Sequence, residues 1–138
     1  MFLSGRSTPR TFVIDGSNIH DIPSFYDEIN RVFMGGEDWK LGPSLDALDD
    51  MLYGGYGALQ GSGPVVLIWR GMERNRTDLG VEATRAYYRA KMDAPDRYNV
   101  ARINDDLAAL ERGEGATYFE IICEILAGHP RIEVRAES

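Results

Sequence analysis

The sequence predicts an α/β fold, a small three-stranded parallel sheet flanked by helices, in a single domain over residues 1–138. Apolar, β-branched runs stand at "TFVID", "PVVLIW" and "RIEVRA", and stretches with apolar residues at helical spacing separate them. Strands joined through helices pair in parallel, and a sheet built so is expected to be covered on both faces. With 43% hydrophobic residues among 138, the chain can fill one ordinary core and is too short to suggest two.

Each element follows from local chemistry. The first strand, residues 11–15, ends in a turn at Gly16, whose permissive backbone suits a sharp change of direction. Asp15 reads as the residue that closes it. A helix is expected over 23–33, where Phe25, Ile29, Val32 and Phe33 share a face, Pro23 suits the entrance, and Ser24 with Asp27 resembles a capping box. "MGGEDWKLGP" breaks it into a loop. Ser44 then caps "LDALDDMLY", which Gly54 stops. Leu45, Leu48, Met51 and Leu52 fall on one side of that helix, and Asp46, Asp49, Asp50 and Tyr53 on the other. After the second strand, residues 70–116 are hard to read. "VEATRAYYRAKM" looks helical, "DAPDRYN" looks like a loop, and Asn104 reads as the cap of a helix that carries Asp105 and Asp106 in its first turn and stops at Gly113. Thr117 and Glu120 have capping-box spacing ahead of a helix that is apolar nearly all round and that Gly128 ends.

Charge is distributed unevenly. Residues 11–55 hold nine acids against two bases, a local charge of −7 that equals the net charge of the whole chain. Residues 70–116 carry nine of each sign and cancel. A net negative chain argues against a nucleic-acid partner, because affinity for phosphate backbones comes mostly from Lys and Arg. The acidic first third is compatible with a basic protein partner, which such a patch can steer at long range, and equally with a plain solvated acidic surface. No apolar run approaches the roughly 20 residues of a membrane span. The single Cys123 cannot form an internal disulfide, and the first ten residues lack a signal-peptide pattern, so a cytoplasmic protein is expected. No cofactor is implied. His20 and His129 have no metal-ligand spacing and are expected at surface or turn positions. Tyr87 and Tyr88, beside Arg85 and Arg89, could stack on bases but are expected to pack their helix.

Three carboxylates on one helical face need a reason, since each like-charged pair costs about a few tenths of a kcal/mol. Carboxylate oxygens suit magnesium. Alternatively, flanked by Trp39 and Tyr53, the acids have the make-up of a binding surface for a basic partner. A plain solvated face is the third possibility.

"LDALDDMLYG", preceded by a helix, an aromatic and "GPS", resembles the barstar family of ribonuclease inhibitors. The likeness continues in order through "FVIDGSNI", "SFYDEINRVF", "VVLIWR" and "TYFEIICEILAGHPRIEV". It implies an inhibitor rather than an enzyme, a monomer when free, whose partner is a basic, extracellular-type microbial ribonuclease (barnase-like) or a related toxin. It implies that Gly42, Asp46, Asp50, Gly54 and Glu124 lie where the family contacts its nuclease. Asp50 would be the central anion, Asp46 its neighbour and Glu124 a supporting charge. Trp39, Ser44, Asp49 and Tyr53 join the expected partner-binding set from their place on the same loop and helix. The chain departs from the family in having Lys40 and Leu41 before the glycine, Ser44 in place of Asn, and Asp49 in place of Trp. Residues 70–116 read as a helical insertion that the compact members lack.

A rival reading starts from "TFVIDGSN", which resembles the opening of PIN and NYN-type ribonucleases. Asp15 would then hold magnesium together with acids of "RINDDL". Against it, the second strand ends in Trp69-Arg70-Gly71 and supplies no acid. A barstar-like module for some other partner is the remaining alternative.

Overall fold

The computed structural model describes residues 8–138. Strands β1 (Arg10–Asp15), β2 (Val65–Arg70) and β3 (Ile132–Glu137) form one parallel sheet in the order β1-β2-β3. The register aligns Ile14 with Trp69 and Trp69 with Ala136. A short 3₁₀ turn (Gly16–Asn18), α1 (Ile22–Phe33) and α2 (Leu45–Leu52) connect β1 to β2. Four helices connect β2 to β3: α3 (Met72–Asp78), α4 (Val81–Met92), α5 (Val100–Glu111) and α6 (Tyr118–Ala127). None of the helices is long and apolar enough to cross a membrane.

The core lies against one face of the sheet. Ile14, Leu67 and Trp69 meet Phe25, Ile29 and Phe33 of α1, Leu48 and Met51 of α2, and Phe119 and Ile122 of α6. Trp69 is fully buried, stacked on Phe25 at 6.1 Å and tilted against Phe119 at 5.6 Å. The opposite face is different from the enclosed one expected. Thr11, Glu133 and Arg135 are exposed there and Val13 and Ile68 only half-buried. The sheet therefore has one dry face and one partly wet face.

Two start signals lie elsewhere than the sequence suggests, and one turn glycine has a different reason. Asp21, not Ser24, caps α1: its carboxylate accepts from the Ser24 amide at 2.9 Å, and the Ser24 hydroxyl accepts from the Asp21 amide at 3.0 Å. Both residues can cap, and in the reciprocal capping box that forms Asp21 takes the cap and Ser24 the third helical position. Asn99 caps α5, accepting from the Arg102 amide at 3.2 Å, so Asp105 and Asp106 lie in mid-helix rather than in the first turn. Gly16 is not left-handed. It is glycine because a Cβ there would stand 2.1 Å from the Arg70 carbonyl oxygen and 2.5 Å from the Asn75 side chain.

Helix α3 was not expected, because "MERNRTD" has no apolar stripe. A buried polar residue ties it down. Asn75 accepts from the Trp69 indole at 2.8 Å and donates to the carbonyls of Gly16 and Ile19. The amides at the start of α6 are likewise met by distant partners. Thr117 and Glu120 cap each other as expected, while Tyr118 donates to the buried Thr84 hydroxyl and Phe119 to the Leu79 carbonyl.

The Tyr26 and Tyr118 hydroxyls share a buried hydrogen bond of 2.6 Å. Burial pushes Tyr26 from 10.0 up to about 12 and raises Tyr118 as well. Protons are held more tightly in the folded than in the unfolded state, so this stabilisation is complete below about pH 10 and is lost as pH rises through about 12. Alkaline titration followed by circular dichroism and tyrosinate absorbance should show these two ionising together with unfolding. Phenylalanine at both positions should remove that pH dependence.

Candidate functional site

Helix α2 presents the acidic face. The Ser44 hydroxyl accepts from the Ala47 amide at 3.3 Å and starts the helix, and Leu48, Met51 and Leu52 anchor it in the core. Asp46 and Asp50 are exposed. Asp49 is not equivalent to them: its carboxylate lies 2.7 Å from His129 Nε2. His129 lies in the turn between α6 and β3, one of the two placements expected, but at 5% exposure it is a buried partner of α2 rather than a surface residue. The Tyr53 ring, 69% exposed, stands edge-on to His129 at 4.6 Å. Two of the three acids thus face solvent, while the third fastens α2 to the segment leading into β3.

The loop before α2 is held from inside. Asn30 accepts from the Leu41 amide at 2.7 Å and donates to the Leu41 carbonyl at 3.0 Å, which clamps the backbone one residue before Gly42. Leu41 itself is buried. Gly42 is exposed, and a Cβ there would meet nothing within 4 Å. Trp39 is 44% exposed and packs on Tyr56 at 4.8 Å. The Tyr56 hydroxyl is pushed up by burial and then by the charge of Asp50. Nothing in the local sequence pattern marks Asn30, since a half-buried Asn on an amphipathic helix has no periodic signal.

The far end of α2 is stapled by Arg131. Its guanidinium donates to the carbonyls of Leu59 at 2.8 Å, Gly63 at 2.9 Å and Leu52 at 3.4 Å. A cation is favoured there because the last carbonyls of a helix carry partial negative charge. Burial, followed by the neighbouring Arg10, lowers the pKa of Arg131. Gly54 is buried under this staple with φ +90°, its amide donating to Met51 and its carbonyl accepting from Gly61. It therefore shapes the turn at the end of α2. Glu124 is exposed on α6, which packs beside α2.

The opening turn is built from its own residues. The Asp15 carboxylate accepts from the Ser17 amide at 3.0 Å and the Ser17 hydroxyl at 2.7 Å, and these bonds lower its pKa. Asn18 donates to Glu28, a buried carboxylate that also accepts from the Asp15 amide and is held by Arg31. Asp105 and Asp106 are exposed in the middle of α5. Among the described residues, no group of three His, Cys, Asp or Glu side chains is placed to hold a metal ion. Tyr87 packs edge-on against Tyr118 at 4.9 Å, as expected of a helix-packing residue.

A family model described as "Barstar (barnase inhibitor)" matches residues 10–104, more than half of the chain. The match begins at β1 and ends within α5, so α6 with Glu124 and β3 lie outside it. No curated protein matches the chain.

Proposed function

Because the chain belongs to the barstar family, we propose that it inhibits a small basic microbial ribonuclease by plugging the active site with α2 and the loop before it. Members of this family inhibit nucleases and are not themselves enzymes. The observation that carries the reading is the pair Asp46 and Asp50, exposed on a short, rigidly anchored helix between Trp39 and Tyr53. Two carboxylates fixed on a convex surface can occupy the place of RNA phosphates in a cationic cleft. The aromatic rings supply apolar area at little entropic cost. Excess acid in the first third accelerates encounter with a basic partner, an effect for which barnase and barstar are the reference pair.

Roles divide among the expected residues. Asp50 is the central anion, Asp46 meets a flanking cation, and Trp39, Gly42, Ser44 and Tyr53 form the rim. Asp49 acts through His129 by holding α2 in place. Glu124 contributes a more distant charge. Gly54 supports the surface from beneath. The family match runs through α3 and α4 into α5, so of the segment 70–116 only residues 105–116 lie outside it, and the protein works in the cytoplasm, where it meets the ribonuclease before secretion or after entry.

The rival nuclease reading is tested on the same preparation. The protein alone, supplied with magnesium and a fluorogenic RNA, should leave the RNA intact, and Asp15→Asn should retain full inhibitory capacity. Hydrolysis that disappears in Asp15→Asn would replace the inhibitor reading with a metal-dependent nuclease.

A further inference from the structure

Most cations of this protein are already engaged. Among the described residues seven arginines hold a carboxylate, and Arg10 and Arg131 donate to backbone carbonyls. Lys91 and Arg97, at the corner between α4 and α5, have no such partner among those residues. They line a groove of about 570 Å³ together with Tyr87 and Tyr98, and its other wall is formed by the cap Ser44 and by Asp46 of α2. The Lys91 ammonium lies 4.4 Å from the Tyr87 ring centre and 5.1 Å from that of Tyr98, and the Arg97 guanidinium lies 5.7 Å from Tyr98. Contact with ring faces holds these groups in position without neutralising them, so their charge remains available.

We infer that this groove receives a carboxylate of the same partner that docks on α2, so that the binding surface carries both signs of charge. The inference rests on the reading of α2 as the partner surface and adds the partner's chemistry: a basic cleft with an acidic side chain at its rim. The groove opens directly beside Asp46, so a partner seated on α2 reaches it without a second docking event. Asp46 on the facing wall sets the ligand class. A nucleic acid would press repeated phosphates against that carboxylate and against a chain of net charge −7. A single Glu or Asp among neutral or basic neighbours meets Lys91 and Arg97 while its neighbour faces Asp46. Such a two-signed footprint fixes the partner's orientation and rejects ribonucleases whose rim is basic, because like charges would then face each other.

The test titrates the full chain at low salt with terminally blocked tripeptides, followed residue by residue by NMR. Gly-Glu-Gly should shift the signals of Lys91, Arg97 and Tyr98 and bind roughly fivefold more tightly than Gly-Gln-Gly, the scale of exposed charge pairs. The double variant Lys91→Gln/Arg97→Gln should lose that preference, and the milder Arg97→Gln should reduce it, with unchanged circular dichroism in both. Absence of any preference for Gly-Glu-Gly would overturn the inference, as would binding of a uridine dinucleotide at these residues in its place. Gly-Arg-Gly reports separately on α2 through Asp46 and Asp50. Silence there, with the glutamate response intact, would count against the α2 reading alone.

Discussion

Asp50→Ala should weaken binding to barnase or a similar basic ribonuclease by at least about 2 kcal/mol, roughly thirtyfold, the scale of an interface hot spot. The carboxylate is exposed on the outer face of α2. It carries no intramolecular bond among the described residues, so its removal should leave the free protein's stability within about 0.5 kcal/mol of the parent, as for other surface substitutions. Asp49→Ala should divide its effects the other way. That carboxylate is bound to the buried His129, so its loss strands a ring nitrogen and lowers stability by about 1–3 kcal/mol. Calorimetric titration and urea unfolding on the two variants separate the roles. Unchanged affinity in Asp50→Ala would remove this residue from the site.

Gly54→Ala should destabilise the fold by about 3 kcal/mol, the sum of a left-handed backbone unsuited to alanine and a steric overlap. Gly54 has φ +90°, and its added Cβ would stand 2.4 Å from the Gly61 carbonyl oxygen and 2.9 Å from that of Leu59. Both neighbours are backbone, so neither can swing aside. Gly42→Ala provides the contrast, because the space around that position is open. It should leave stability unchanged and act only through binding. Equal stability of the two variants in urea would contradict the buried, turn-shaping role of Gly54.

The strands, α2, α4 and α6 were legible because their signals are local. Ser44 and the Thr117/Glu120 pair cap the helices they precede, and the run at 64–69 is β-branched and bounded by glycine and charge. Spacing alone placed Asp46 and Asp50 on the exposed side of α2, but it also grouped with them Asp49, which turns to His129. What escaped reading depends on contacts between residues far apart in the chain. Helix α3 has no apolar stripe and is fixed by Asn75 reaching Trp69 and Gly16. His129 pairs with Asp49 across 80 positions, and a lone histidine carries no sign of that in sequence. Asn30 clamps the loop at Leu41 through its side chain, which no periodicity reports. The start of α1 was misplaced for a different reason. Asp21 and Ser24 are both good caps three residues apart, and local chemistry alone does not rank them.

These long-range bonds are also what make the acidic surface usable. Asn30 fixes the loop on one side of α2, Arg131 fixes the turn on the other, and His129 holds its middle through Asp49. A short helix of 8 residues would otherwise fray in water, and its carboxylates would have to be ordered on binding at the expense of affinity. Asp46 and Asp50 are therefore held in place by Asn30, Arg131 and His129, which lie outside the proposed contact surface.

The central claim is tested most directly by adding the protein in increasing amounts to barnase acting on a fluorogenic RNA. Cleavage should fall in proportion to the protein added and vanish near equimolar amounts, with Asp50→Ala requiring a large excess for the same effect. Barnase activity that stays undiminished in molar excess of the protein would contradict the proposed inhibition of a barnase-type ribonuclease.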